Sequence, residues 1–154
     1  MKFIGKKSLS VFMTAFLWLF MTCTVLMIVF LPWIVDYYLI LMYEGVNESI
    51  KVILMVVLYP LGIAGLFVEN ELRKMFKTLV NKDPFVVGNV KSLRRMGLAM
   101  LVVIIDFIYK VIVLNSLTTM LICLIAIIIT IFCFVLADIF NQAVIYKHDN
   151  DLTI

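Results

Sequence analysis

The sequence predicts an all-α fold: an integral membrane four-helix bundle with both termini in the cytoplasm and an amphipathic helical loop on the same side. Three observations predict it. Apolar residues (A, V, I, L, M, F, W, Y, C) make up 65% of the 154 positions and charged residues only 15%, against roughly 45–50% and 25% in soluble domains. Four stretches lack charge or nearly lack it. Eleven of the thirteen lysines and arginines fall where one side of a membrane would hold them. A soluble fold of this length would leave too much apolar surface in water, whereas a bilayer accepts that surface as its own. A single membrane domain, residues 1–154, is expected.

The transmembrane helices are expected at residues 9–35, 52–68, 96–114 and 117–137, with a cytoplasmic loop at 69–95 and a cytoplasmic tail at 138–154. A helix rises about 1.5 Å per residue, and the hydrocarbon core is about 30 Å thick. The third and fourth runs match that thickness. The first is too long and must tilt or leave the core near Pro32, and the second is short and borrows residues from either side. No run alternates apolar with polar as a barrel strand does. Lys2, Lys6 and Lys7 precede the first run as in a signal peptide, but the uncharged stretch to Val35 far exceeds an h-region of about 7–15 residues, so a retained anchor is expected.

Charge placement sets the orientation. Three lysines lie in the N-terminal arm, seven basic residues lie between the second and third helices, and Lys147 lies in the tail. By the positive-inside rule these regions face the cytoplasm. Trp33, Tyr37, Tyr38 and Tyr43 mark the opposite interface. Only Asn115 and Ser116 join the last two helices, which forces an antiparallel hairpin, and either residue can cap the fourth helix.

The loop is the main feature outside the membrane. Leu72, Met75, Phe76 and Leu79 follow the i, i+3, i+4, i+7 spacing of one apolar helix face, with Arg73, Lys74 and Lys77 off it. Glu69 can pair with Arg73, and Glu71 with Lys74. A break follows at Asn81–Pro84, where Asp83 is the expected N-cap and Pro84 the first residue of a second loop helix. That helix carries Val86, Val90 and Leu93 on one side and Lys91, Arg94 and Arg95 elsewhere. The tail from His148 is polar and expected to be mobile.

Asp106 and Lys110 share one face of the third helix within the membrane. An isolated charge at a helix centre costs about 2.5–3.5 kcal/mol on insertion scales. The pair can be a structural device that fixes packing, or a relay or polar site for transport. Pro60, with Gly62 and Gly65, can be a hinge or a packing notch. The basic loop can bind anionic lipid or a cytoplasmic protein partner, or serve topology alone.

Several function classes are disfavoured. There is no HExxH, GxSxG, P-loop or GxGxxG motif, and the one histidine, His148, lies in the tail, so no enzyme and no cofactor is expected. Cys23, Cys123 and Cys133 lie in apolar runs without CxxC spacing, so neither a metal site nor a disulfide is expected. No basic patch with interleaved aromatics argues for direct nucleic-acid binding.

Two stretches carry a resemblance. Lys82-Asp83-Pro84-Phe85 through Asn89-Val90-Lys91-Ser92-Leu93-Arg94-Arg95-Met96-Gly97, and the tail Asp149-Asn150-Asp151-Leu152-Thr153-Ile154, resemble the bacterial membrane family catalogued as domain of unknown function 2975. Members carry an "NPF…ENVKRLR" loop and end near "EENDLTI". The chain departs from that pattern at Asp83, Gly88, Ser92, His148 and Asp149. The resemblance implies a bacterial cytoplasmic membrane location without an assigned activity. Family genes often neighbour a small helix-turn-helix regulator, which implies a membrane partner of a DNA-binding protein. The expected function is that of a non-enzymatic regulatory or sensory subunit, in contact with membrane lipids and a cytoplasmic protein, with self-association left open. Its expected contact residues are Leu72, Arg73, Lys74, Phe76, Lys77, Pro84, Phe85, Asn89, Lys91, Arg94 and Arg95 in the loop, and Asn150, Asp151, Leu152, Thr153 and Ile154 in the tail. The rival expectation is a small transporter or immunity-type protein using Asp106 and Lys110.

Overall fold

Apolar runs of this length can satisfy their backbone only as helices, because lipid offers no partners to amide and carbonyl groups. The computed structural model describes residues 6–43, 45, 47–80, 84–114 and 117–151. Four helices account for nearly all of them: α1 (Lys6–Tyr43), α2 (Glu48–Val80), α3 (Val87–Leu114) and α4 (Leu117–Asp151). Each is long and apolar enough to cross a membrane.

The helices outrun the uncharged stretches. The 38 residues of α1 span about 57 Å, passing through Pro32 and taking in Tyr37–Tyr43. Helix α2 begins at a cap that sequence inspection passes over. The side chain of Asn47 accepts hydrogen bonds from the amides of Ser49 (3.1 Å) and Ile50 (3.4 Å), which satisfies orphan donors of the first turn. Beside that cap Lys51 meets Asp36 of α1 at 2.6 Å. Helix α4 continues to Asp151, so the tail expected to be mobile is helical to that point. The caps expected at Asp83, Asn115 or Ser116, and the tail residues Leu152, Thr153 and Ile154, lie outside the described residues.

Pro84 is a correction. It was expected to open the second loop helix, but Pro84–Val86 are non-helical and α3 starts at Val87. The reason is Asn89, whose side-chain amide donates to the Pro84 carbonyl at 2.7 Å and whose backbone amide donates to Val86 O at 3.0 Å. These bonds hold the three residues against the helix start instead of within it.

The packing order differs from the expected bundle. Among the described residues α1 packs on α2, α2 on α3 and α3 on α4, and α1 does not meet α4. The helices stand in a row. One apolar cluster, Leu31, Val35, Leu39 and Leu54, joins α1 to α2. Another joins α2, α3 and α4 through Ala64, Val103, Phe107, Cys123 and Ala126. The accessible surface is 10921 Å², well above the roughly 8000 Å² that a soluble monomer of this mass would show. A row is stable in a bilayer because lipid is as apolar as leucine, so no hydrophobic force drives the edges together.

Two of the three notable glycines are close-approach points. A Cβ on Gly62 would lie 2.7 Å from Ile28 Cγ1, and one on Gly97 would lie 3.0 Å from the Phe134 ring. Nothing lies within 4 Å of the corresponding position on Gly65. Of the notch glycines read in sequence, Gly62 alone is contacted.

Candidate functional site

Most of the polar side-chain contacts between helices lie at one end of the row. There the first half of α1 contacts the end of α2, and the start of α3 with Phe85 contacts the last third of α4. Arg73 lies over the Trp18 ring at 4.8 Å, Phe85 stacks on Phe140 at 5.6 Å, and Arg94 meets Asp138 at 3.4 Å. Arg73, Lys74, Arg94 and Arg95, four of the basic residues that the sequence puts on one side of the membrane, therefore share one end of the molecule.

At its centre is Glu71, 1% exposed. Helix α2 runs on past its uncharged stretch, so one face of its extension packs on the start of α3, and Glu71 lies on that face. Its carboxylate accepts a hydrogen bond from the Ser92 hydroxyl at 2.6 Å and pairs with Lys74 at 2.5 Å and Arg95 at 3.7 Å. Two turns of α2 further, the Thr78 hydroxyl donates to Met75 O at 2.7 Å and accepts from the Asn89 amide at 2.7 Å. Asn89 and Ser92 are themselves buried. Together these bonds lock α2 to α3 as a rigid helical hairpin. A buried carboxylate held by three donors from both helices acts as a clasp between them.

A second polar contact joins α1 to α2. Thr24 donates to Glu69 Oε1 at 2.7 Å, while the other oxygen of Glu69 is buried without a hydrogen-bond partner. The expected Glu69–Arg73 pair does not form. Arg73 instead donates to Asn70 Oδ1 at 3.1 Å and covers Trp18, because the α1 interface claims the Glu69 side of the helix. The Glu71–Lys74 pair forms as expected. Beside Trp18 a cleft of about 440 Å³ is lined by Arg73, Phe76 and Lys77.

The intramembrane residues lie apart from this end. Asp106 is half-buried on α3 and its Oδ2 has no hydrogen-bond partner. No ion pair within 4.0 Å joins it to Lys110, whose ammonium lies 6.0 Å from the centre of the Phe107 ring. Among the described residues no group of three His, Cys, Asp or Glu side chains is arranged to hold a metal ion.

Of the loop residues singled out in the sequence, Lys74, Arg95, Pro84 and Asn89 belong to the clasp. Phe85 and Arg94 bind α4, and Leu72 and Phe76 are half-buried. Lys77 and Lys91 are exposed. Asn150 lies at the far end of α4, away from the hairpin in sequence. Sequence reasoning missed Ser92, Thr78, Thr24, Trp18 and Asp138 as contact residues. A signal for two of them existed: folding the loop back about its break at 81–84 sets 71 opposite 92 and 78 opposite 89.

A family model described as "Protein of unknown function (DUF2975)" matches residues 41–154. The chain belongs to this family. The match covers α2, α3, α4 and the whole clasp, while most of α1 precedes it. No curated protein and no solved structure matches the chain. This member of the family thus has the architecture of a multi-pass membrane protein, with its polar contacts concentrated at the end formed by the α2–α3 hairpin.

Proposed function

We propose that this family member is a non-enzymatic regulatory or sensory subunit of a bacterial cytoplasmic membrane, and that it binds a cytoplasmic protein through the α2–α3 hairpin and the end of α4. The small helix-turn-helix regulator implied by the family resemblance is the specific candidate partner. The observation that supports this reading is the hairpin tip. From Val68, the last residue of the uncharged stretch, to Val80 the helix advances about 18 Å, which carries the tip beyond the hydrocarbon boundary. There Leu79, Val80, Phe85 and Val87 are each 42–53% exposed, with Lys77 and Lys91 beside them. A rigid apolar patch rimmed by cations, outside lipid, is what a protein partner covers.

The test is co-purification of the full chain with the co-expressed regulator from detergent. Lys77→Glu with Lys91→Glu leaves the Glu71 clasp untouched and is expected to weaken capture by roughly tenfold or more, through like-charge repulsion against an acidic partner surface. Undiminished capture, with reporter fusions showing unchanged topology, would overturn hairpin docking.

Asp106 supports a second reading, transport of a proton or small cation, because an acidic oxygen buried in the membrane without a partner is unusual outside ion pathways. Asp106→Asn is expected to abolish flux in proteoliposomes if that reading holds. Equal flux in both forms, or none in either, eliminates it.

A further inference from the structure

The hairpin leaves an open cleft of about 520 Å³ between α2 and α3. Pro60, Ile63 and Phe67 of α2 form one wall, and Leu98 and Val102 of α3 form the other. Arg95 closes one end and is the only charged lining residue. The helices are antiparallel, so Arg95 stands level with Phe67 and Val102 level with Pro60. Seven residues separate the ends of each wall, so the groove descends about 10 Å from the charged end into the apolar interior.

We propose that this groove holds an anionic phospholipid, with one acyl chain between α2 and α3 and the phosphate at Arg95. Charge selects the headgroup. Glu71 is shared by two cations, Lys74 and Arg95, so its single negative charge does not neutralise both, and Arg95 is the one of the two that lines the groove. The Arg95 side chain is 56% exposed and lies 3.7 Å from the Glu71 carboxylate, which leaves guanidinium donors for a phosphate. Lys91 is one turn away on the same face of α3, exposed, and in position for a second headgroup contact. Arg95 also sits at the start of the uncharged stretch of α3, at the depth where headgroups lie. The groove itself matches the usual size of a ligand site, about 300–1,000 Å³, and its apolar walls suit a hydrocarbon chain. The inference requires the membrane architecture and is independent of any protein partner.

The experiment is native mass spectrometry of the full chain in detergent, titrated with phosphatidylglycerol and with phosphatidylcholine of identical acyl chains. A third titration uses glycerol phosphate, the soluble headgroup. Wild-type protein is expected to retain phosphatidylglycerol with about a fivefold preference, and glycerol phosphate is not expected to compete. Arg95→Gln is expected to bind both lipids equally. Val102→Trp, an exposed lining position, is expected to fill the groove and lose both, with its thermal midpoint unchanged. Absence of a preference in wild type, retention of it in Arg95→Gln, undiminished binding in Val102→Trp, or a second copy of the chain displacing lipid would each overturn the proposal.

Discussion

Replacing Lys74 by Met together with Ser92 by Ala is expected to destabilise the solubilised protein by roughly 3 kcal/mol, the lower end of the cost of stripping a buried charge of its partners, because one cation stays beside it. The carboxylate of Glu71 is 1% exposed, and these two side chains supply its shortest contacts. Arg95, at 3.7 Å, remains as the one compensating charge. Adding Glu71→Met to the pair is expected to recover most of the loss, since an apolar side chain of similar size needs no donor. Glu71→Met alone is expected to be mild, because Lys74 and Arg95 are half exposed and water takes up their charges. Thermal midpoints of the four proteins test the order, and hydrogen exchange over 72–92 reports on the hairpin itself. If the triple variant is as unstable as the double, the buried charge is not what the clasp serves.

Gly62→Leu is expected to cost about 1–3 kcal/mol, the usual penalty for forcing bulk into a filled contact. It is expected to release α1 in particular. Among the described residues that helix packs on α2 alone, and Ile28 sits where the new Cβ would lie. Trp18 fluorescence reads the release, because Arg73 of α2 covers its ring. Gly65→Leu is the control: three residues away on the same helix, it meets open space and is expected to leave both the midpoint and Trp18 unchanged. Ile28→Ala is expected to restore part of what Gly62→Leu removes. Equal behaviour of the two glycine variants would show that the close approach carries no weight.

Much of this protein was legible in one dimension. Crossing a membrane depends on local quantities, the length and charge of a run, so the four helices could be read from residues 9–35, 52–68, 96–114 and 117–137 before any contact was known. The Glu71–Lys74 pair was legible for the same reason, since i, i+3 spacing places both groups on one face. The break near Pro84 was also visible, although its exact form was not. Asn89 reaches back to the Pro84 carbonyl, and such a bond belongs to a fold rather than to a propensity.

What only the tertiary structure decided concerns rotation and pairing of helices. A helix can turn about its axis without changing its composition. Folding the loop about its break sets 71 level with 92, but sequence could not say that Glu71 turns toward α3 and is sealed against Ser92, twenty-one positions away. Nor could it say that a side chain at Gly62 would run into Ile28 while one at Gly65 would meet open space. The same freedom separates a closed bundle from the observed row. Both immerse the same four apolar runs in the bilayer, and the choice lies in side-chain fit and a few polar bonds between neighbours, because lipid removes the hydrophobic force that would settle it in water.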